Sequence, residues 1–223
     1  MSTGQLSTLR QTIPQLWKIL SCLQPTFRLD SVAEANAEFI GKHEFRGVLW
    51  DVDGTIMAYH GSDVDPAFPH LRSLFANGPA RHAILSNCDE PRFDALAIIF
   101  PEIPIVRGYA TPAGSVFRHK WRGEDTHTAD AITAILASGG RQLRKPAGRL
   151  VRYTMELLEI DDPAAVLLVG DQYLTDVASA NLAGARAAKV PTFRRDTFPL
   201  SIRMSQRLEW LLYALGSAIF SSG

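Results

Sequence analysis

The run Val48-Leu49-Trp50 is apolar at every position and leads straight into Asp51-Val52-Asp53-Gly54-Thr55. A strand with one wet face alternates apolar and polar residues, whereas an unbroken apolar run marks a strand covered on both faces. Such a strand belongs inside a parallel sheet with helices on either side. The same run delivers two aspartates to the strand's end, and period-2 geometry puts Asp51 and Asp53 on one side. The loops at the carboxyl ends of strands are where open α/β sheets bind ligands. The plain alternative is a polar Asx turn closing a strand.

The chain continues the theme. Strands are expected at 46–52, 81–86, Ile103–Val106, Ala165–Gly170 and 186–190. Helices are expected at 31–42 with Ser31 as N-cap, at Pro66–Asn77 with Gly78-Pro79 as its stop, at Pro91–Phe100, at Pro146–Ile160 with Pro146 in the first turn, and at 174–183. Strands alternating with helices predict an α/β fold, a Rossmann-like parallel sheet with helices on both faces. Residues 107–144 interrupt the alternation with five glycines and a basic, aromatic cluster from Arg107 to Arg122. They predict an insertion at the sheet edge near the site mouth, with Ala129–Ala137 as a short helix; the alternative is a solvated surface excursion.

A length of 223 residues suits one α/β domain with an elaboration or extended termini. The division expected is an N-terminal helical segment over 1–42, a catalytic domain over 43–192 and a C-terminal amphipathic helical segment over 193–223. Charge is balanced at 23 basic and 23 acidic residues, so no global field favours nucleic acid as a partner. Cys22 and Cys88 form no metal-spaced pair and fit a reducing, cytoplasmic setting. No apolar stretch reaches the roughly 20 residues that span a bilayer, and the six histidines form no spaced ligand pair.

Both ends carry helical apolar stripes. Residues 1–29 lack acidic side chains, and Leu6, Leu9, Ile13, Leu16, Leu20 and Leu23 recur at helical spacing. Near the other end Leu208, Leu211, Leu212, Leu215 and Ile219 do the same beside Trp210 and Tyr213. Either stripe suits peripheral membrane contact or, as most amphipathic helices do, packing on the domain. The N-terminal one also suits an organellar address.

Separated segments converge on one chemistry. Asp51 and Asp53 end one strand, Ser86-Asn87 ends the next, Lys145-Pro146 opens a helix, and Gly170-Asp171 ends a further strand with Asp176 beyond it. A carboxylate can attack phosphorus, which makes Asp51 a candidate nucleophile. Asp53 can protonate the departing alkoxide and later take a proton from water. Mg²⁺ accepts one or two carboxylates and keeps several waters, so Asp51 and Asp171, with the Asp53 carbonyl, form a candidate metal set. The Ser86 hydroxyl, Asn87 and Lys145 are candidates for the phosphoryl oxygens, Lys145 supplying charge to the transition state. Asp176 would orient Lys145 or a metal-bound water.

These segments resemble the haloacid dehalogenase (HAD) superfamily of phosphatases over roughly residues 46–190. Asp51-Val52-Asp53-Gly54-Thr55 looks like its first motif, Ile84-Leu85-Ser86-Asn87 its second, Lys145 its third, and Gly170-Asp171 with Asp176 its fourth. The resemblance implies a Mg²⁺-dependent phosphomonoesterase, and an aspartate at position 53 implies phosphate chemistry rather than dehalogenation. The wording Gly170-Asp171-Gln172-Tyr173-Leu174-Thr175-Asp176 is similar to subfamily IIIA, the branch of phosphatidylglycerophosphate phosphatases. Roughly 30 residues between the first two motifs leave space for a small insertion rather than a large cap. Gly54, in place of that branch's usual asparagine, and the long 107–144 segment depart from the branch. The alternatives are a soluble phosphatase for a small sugar or nucleotide phosphate, and a non-catalytic binding module on this fold. A phosphotransferase passing the group to an alcohol remains open on the same residues.

Overall fold

The computed structural model describes residues 20–220. Strand β2 (Gly47–Trp50) is buried at every position, as its composition demands. It lies between β3 (Arg81–Leu85) and β8 (Val166–Gly170), both parallel to it, with Leu49 level with Ala83 on one side and Leu168 on the other. Parallel strands β9 (Arg186–Lys189) and β1 (Phe27–Arg28) continue the sheet beyond β8. The side chains of β2 separate by parity. Val48 and Trp50 join one apolar cluster with Phe75, Phe93 and Val169, while Leu49 joins another with Val151, Met155 and Leu168. Both faces are therefore covered, and the carboxyl ends of β2, β3 and β8 lie side by side.

The first cluster is covered by α1 (Ala37–Lys42), α2 (His70–Asn77) and α3 (Glu90–Ile99), and the second by α5 (Gly148–Leu157) and α6 (Ala178–Ala183). The expected helix over 31–42 is broken in two. Ser31 and Glu34 form a capping box on a single 3-10 turn, and Asn36 then caps α1 afresh by accepting from Phe39 N. The helix expected from Pro66 begins only at His70. Pro146 is not in the first turn of α5, which starts at Gly148; it follows Lys145 through a cis peptide bond.

The sheet is mixed rather than parallel throughout. β4 (Ile105–Thr111) runs five residues past its expected end. Its first two residues pair with β3, and its later ones pair with β7 (Arg141–Leu143) in antiparallel register. On its other edge lie β5 (Gly114–Trp121) and then β6 (Glu124–Asp125), both antiparallel additions. Segment 107–144 thus extends the sheet and carries α4 (Ala129–Ala137) at its expected position. Its basic cluster is not a solvated excursion. Arg107 and Arg118 are 4% and 3% exposed and stack over Phe93, and Arg118 pairs with Asp125 and Glu90.

The last helix, α7 (Leu200–Phe220), turns most of its apolar stripe outward, one of the two arrangements its pattern allowed. Gln206, Glu209, Tyr213 and Gly216 face the domain, whereas Leu208, Leu211 and Leu215 are each more than half exposed. Gly216 is the contact point with the chain's other end, because a Cβ there would lie 3.3 Å from Leu20 Cβ. Leu20 and Leu23 are buried, so this part of the N-terminal stripe packs on the domain; Leu6, Leu9, Ile13 and Leu16 lie outside the described residues.

Trp50 anchors the larger cluster. It is fully buried, meets Phe75 edge-on at 5.7 Å, and donates from Nε1 to His82 Nδ1 at 3.2 Å. Trp50→Ala is expected to lower stability by about 3–5 kcal/mol, read as a fall in the urea midpoint at unchanged slope.

Candidate active site

The ladder of β2 ends one residue past the strand, where Asp51 N donates to Val169 O at 2.9 Å. That bond fixes where the Asp51 carboxylate leaves the sheet. On the neighbouring strand, a Cβ on Gly170 would stand 2.3 Å from Asp176 Cγ, so glycine alone lets the Asp176 side chain close over the strand end. Asp176 arrives there on a single π-helical turn, Tyr173–Val177, a geometry often found at functional sites. Its Oδ2 accepts from Gln172 N at 3.0 Å. Gly54 permits a second close approach. It has φ +84°, and a Cβ there would lie 2.6 Å from Phe198 Cζ and 3.1 Å from Asp171 Oδ2.

Lys145 occupies the centre. Its Nζ lies 2.6 Å from Asp51 Oδ1 and 2.6 Å from Asp176 Oδ1, and its side chain is 2% exposed. Carboxylate oxygens of Asp51, Asp171 and Asp176 all lie within 4.8 Å of one another. Three buried carboxylates around one ammonium leave an excess of negative charge. Burial, reinforced by Asp176 and Asp53 and opposed by Lys145, pushes Asp51 up to about 7. Burial, reinforced by Asp51 and Asp176 and opposed by Thr192 and the Lys189 ammonium, raises Asp171 well above the usual range. Burial alone would lower Lys145, but Asp176 and Asp51 outweigh it and hold the ammonium above its ordinary value.

A hard divalent cation suits this donor set. Asp171 Oδ2 accepts from Gln206 Nε2 at 3.2 Å, while its buried Oδ1 has no hydrogen bond of good geometry, the Thr192 side chain being another polar group beside the carboxylate. That orphaned oxygen, in a cluster already short of positive charge, is the observation that fits a metal.

The other sequence candidates take distinct places. Asp53 stands apart from the carboxylate cluster; its Oδ1 accepts from Arg92 Nη2 at 2.9 Å and from His60 N at 3.0 Å. Its side chain therefore does not enter the candidate metal group, while its backbone position beside Asp51 is as expected. Ser86 and Asn87 both line the cleft. The Asn87 amide also grips Lys145: Nδ2 donates to Lys145 O at 3.1 Å, and Oδ1 accepts from Lys145 N at 2.7 Å. Asn87 thus seats the lysine, using one of its two amide N–H donors for it. The cleft, about 520 Å³, is bounded by Tyr59 and His60 on one side and by Ser201 and Ser205 of α7 on the other. A larger hollow of about 870 Å³, lined by Arg28, Lys189, Arg207 and Trp210, lies elsewhere around α7 and touches only Asp171 of the cluster.

Sequence reasoning missed Arg92 and Gln206. Arg92 looks like any helical arginine in the sequence, and Gln206 lies in a helix whose pattern does not say which face turns inward.

Residues 142–196, which hold Lys145, Asp171 and Asp176, match the family described as HAD-hydrolase-like. Among solved structures, an uncharacterized protein from Listeria monocytogenes serotype 4b is 17% identical at a TM-score of 0.39, covering 64% of this chain and 76% of that one. A putative p-nitrophenyl phosphatase from Bacillus subtilis is 15% identical at 0.22, covering 71% and 60%. A p-nitrophenyl phosphatase from Archaeoglobus fulgidus is 18% identical at 0.22, covering 74% and 63%. The chain therefore spans less than two thirds of either phosphatase. No curated protein matches it.

The charge excess sets a pH rule. Between roughly pH 4 and 7 the native state keeps a proton on Asp51 that the unfolded chain has lost, so metal-free stability falls as pH rises through that window. A cation that replaces the proton binds better as pH rises. Mg²⁺ at a hundredfold excess over Kd is expected to raise Tm by about 5–10 °C above pH 7 and by much less at pH 5. In Asp171→Asn, scanning fluorimetry should show the shift lost at both pH values.

Proposed function

We propose that this chain is a Mg²⁺-dependent phosphomonoester hydrolase that works through an aspartyl-phosphate on Asp51. The observation that carries the proposal is the buried Lys145, bonded to Asp51 and Asp176 inside a carboxylate cluster with an orphaned Asp171 oxygen. A structural ion pair has no need of a third carboxylate or a solvent cleft beside it.

The residues divide the work as follows. Asp51 attacks phosphorus as the bond to the alcohol oxygen breaks, and that oxygen takes a proton from Asp53. Water then attacks the same phosphorus, gives a proton to Asp53, and displaces the Asp51 carboxylate. Lys145, held protonated by its two carboxylates, places fixed charge beside the group in transit and lowers the barrier without reorganising. Ser86, at the cleft wall, is placed to donate to the phosphoryl oxygens. Asp51, Asp171 and the Asp53 carbonyl would hold Mg²⁺, whose charge would offset the repulsion between the Asp51 carboxylate and the phosphate. Asp176, whose two oxygens are engaged by Lys145 and by Gln172 N, orients the lysine.

For the substrate we propose a lipid phosphate of the phosphatidylglycerophosphate type, handled at a membrane surface. The subfamily IIIA wording at 170–176 supports it. So does the outer face of α7, where Met204, Leu208, Leu211 and Leu215 are exposed with Arg203 and Arg207 nearby and Glu209 turned inward. Apolar side chains flanked by arginine and Trp210 suit an anionic lipid interface. No helix among the described residues is long and apolar enough to cross a membrane, so contact would be peripheral.

Purified protein with Mg²⁺ is expected to release phosphate from phosphatidylglycerophosphate faster than from soluble sugar or nucleotide phosphates, and Asp51→Asn to abolish release from all. Preference for a soluble ester would transfer the assignment to a metabolite phosphatase, and no release from any would favour a binding module. The double variant Leu208→Glu, Leu211→Glu should lose flotation with anionic liposomes while keeping its turnover of soluble esters.

A further inference from the structure

Arg92 is the third residue after the Asp89 N-cap of α3, it is 8% exposed, and nothing in the reaction outlined above uses it. Its guanidinium makes a fork. Nη2 lies 2.9 Å from Asp53 Oδ1, and Nη1 donates to Gly61 O at 2.6 Å. Asp53 Oδ1 also accepts from His60 N at 3.0 Å. One carboxylate oxygen therefore takes two donors, while Asp53 still lines the catalytic cleft. Gly61 and His60 belong to the loop that brings Tyr59 to the cleft wall, where its ring packs 4.8 Å from Phe198. A single side chain thus joins the acid/base aspartate, that loop, and the helix that follows Ser86-Asn87.

We propose that Arg92 is the positioning residue for acid/base transfer: it engages Asp53 Oδ1 so that Oδ2 alone carries the mobile proton. The inference rests on the phosphatase reading of this cleft. In the first step the proton leaves Oδ2 for the departing oxygen as the phosphorus–oxygen bond breaks and the Asp51–phosphorus bond forms. In the second step a water proton returns to Oδ2 as the water–phosphorus bond forms and the Asp51–phosphorus bond breaks. Oδ1 stays an acceptor throughout, because guanidinium cannot give up its proton near neutral pH. Free rotation of the carboxyl group would exchange the two oxygens and waste part of the proton's positioning. A lysine carries one nitrogen and cannot span both acceptors as the planar fork does.

The test exploits the leaving group. p-Nitrophenolate departs as a stable anion and needs little help from an acid, whereas an alkoxide from glycerol phosphate needs a proton. Arg92→Gln is expected to lower kcat/KM, which reports only the steps through release of the alcohol, at least about tenfold more for glycerol phosphate than for p-nitrophenyl phosphate, within the range general acid catalysis supplies. Asp53→Asn should show the same bias, and Arg92→Lys should recover part of it. The ratio of the two rates is internal to each preparation, so a partly folded variant still reports. An equal slowdown on both substrates, or no slowdown, would overturn the positioning role and leave the phosphatase reading standing. Failure of the wild-type protein to release phosphate from these esters and from phosphatidylglycerophosphate with Mg²⁺ would bring down both.

Discussion

The arrangement at the carboxyl edge depends on one ammonium set between two carboxylates. Lys145 bridges Asp51, at the end of one central strand, and Asp176, on the turn after its neighbour. Removing either partner of a buried pair leaves an uncompensated charge, so the contact constrains two parallel strands and the segment that follows β7 to a single mutual position. Asn87 adds a third strand end by gripping the Lys145 backbone at both its N–H and its carbonyl. Segments far apart in the chain are held together by one side chain with no apolar contribution of its own.

The sheet makes this affordable. β2 and β8 are fully buried with fixed parallel registers, so their ends are rigid supports. Two glycines then allow atoms to approach where any other residue would hold them apart: Gly170 beneath Asp176, and Gly54 against Phe198 and Asp171. The cluster stays short of positive charge by design of its donors. That shortage is what makes the donor set suited to a cation.

Much of this was legible in the sequence, for reasons that differ by element. β2 and β8 could be read because an apolar run without alternation has few other homes. Asp51 and Asp171 could be read because each ends such a run, Asp176 because it follows Asp171 closely, and Lys145 because it stands before Pro146 at an expected helix start. The antiparallel edge was less visible: β4 continues past Val106 through Arg107, Gly108 and Tyr109, and the arginine that looks like a surface residue is buried against Phe93 and paired with Glu90. Asn87 was read as a ligand without its grip on the Lys145 backbone, because that partner lies 58 residues away. For α7 the apolar stripe left two faces open, one docking outward and one packing on the domain. Periodicity identifies which residues share a face, but only tertiary partners such as Asp171 and Leu174 N decide which face turns inward.

That helix has a thermodynamic consequence. Gln206 donates to the same Asp171 whose other oxygen is orphaned, and Glu209 accepts from Leu174 N within the turn that carries Asp176. The seating of α7 and the state of the carboxylate cluster therefore share terms in one free energy. By linkage, a cation bound at the cluster and a hold on the helix from outside would change each other's affinity by the same factor. The terminal helix is thereby a lever with its outer arm in contact with the surroundings and its inner arm on Asp171.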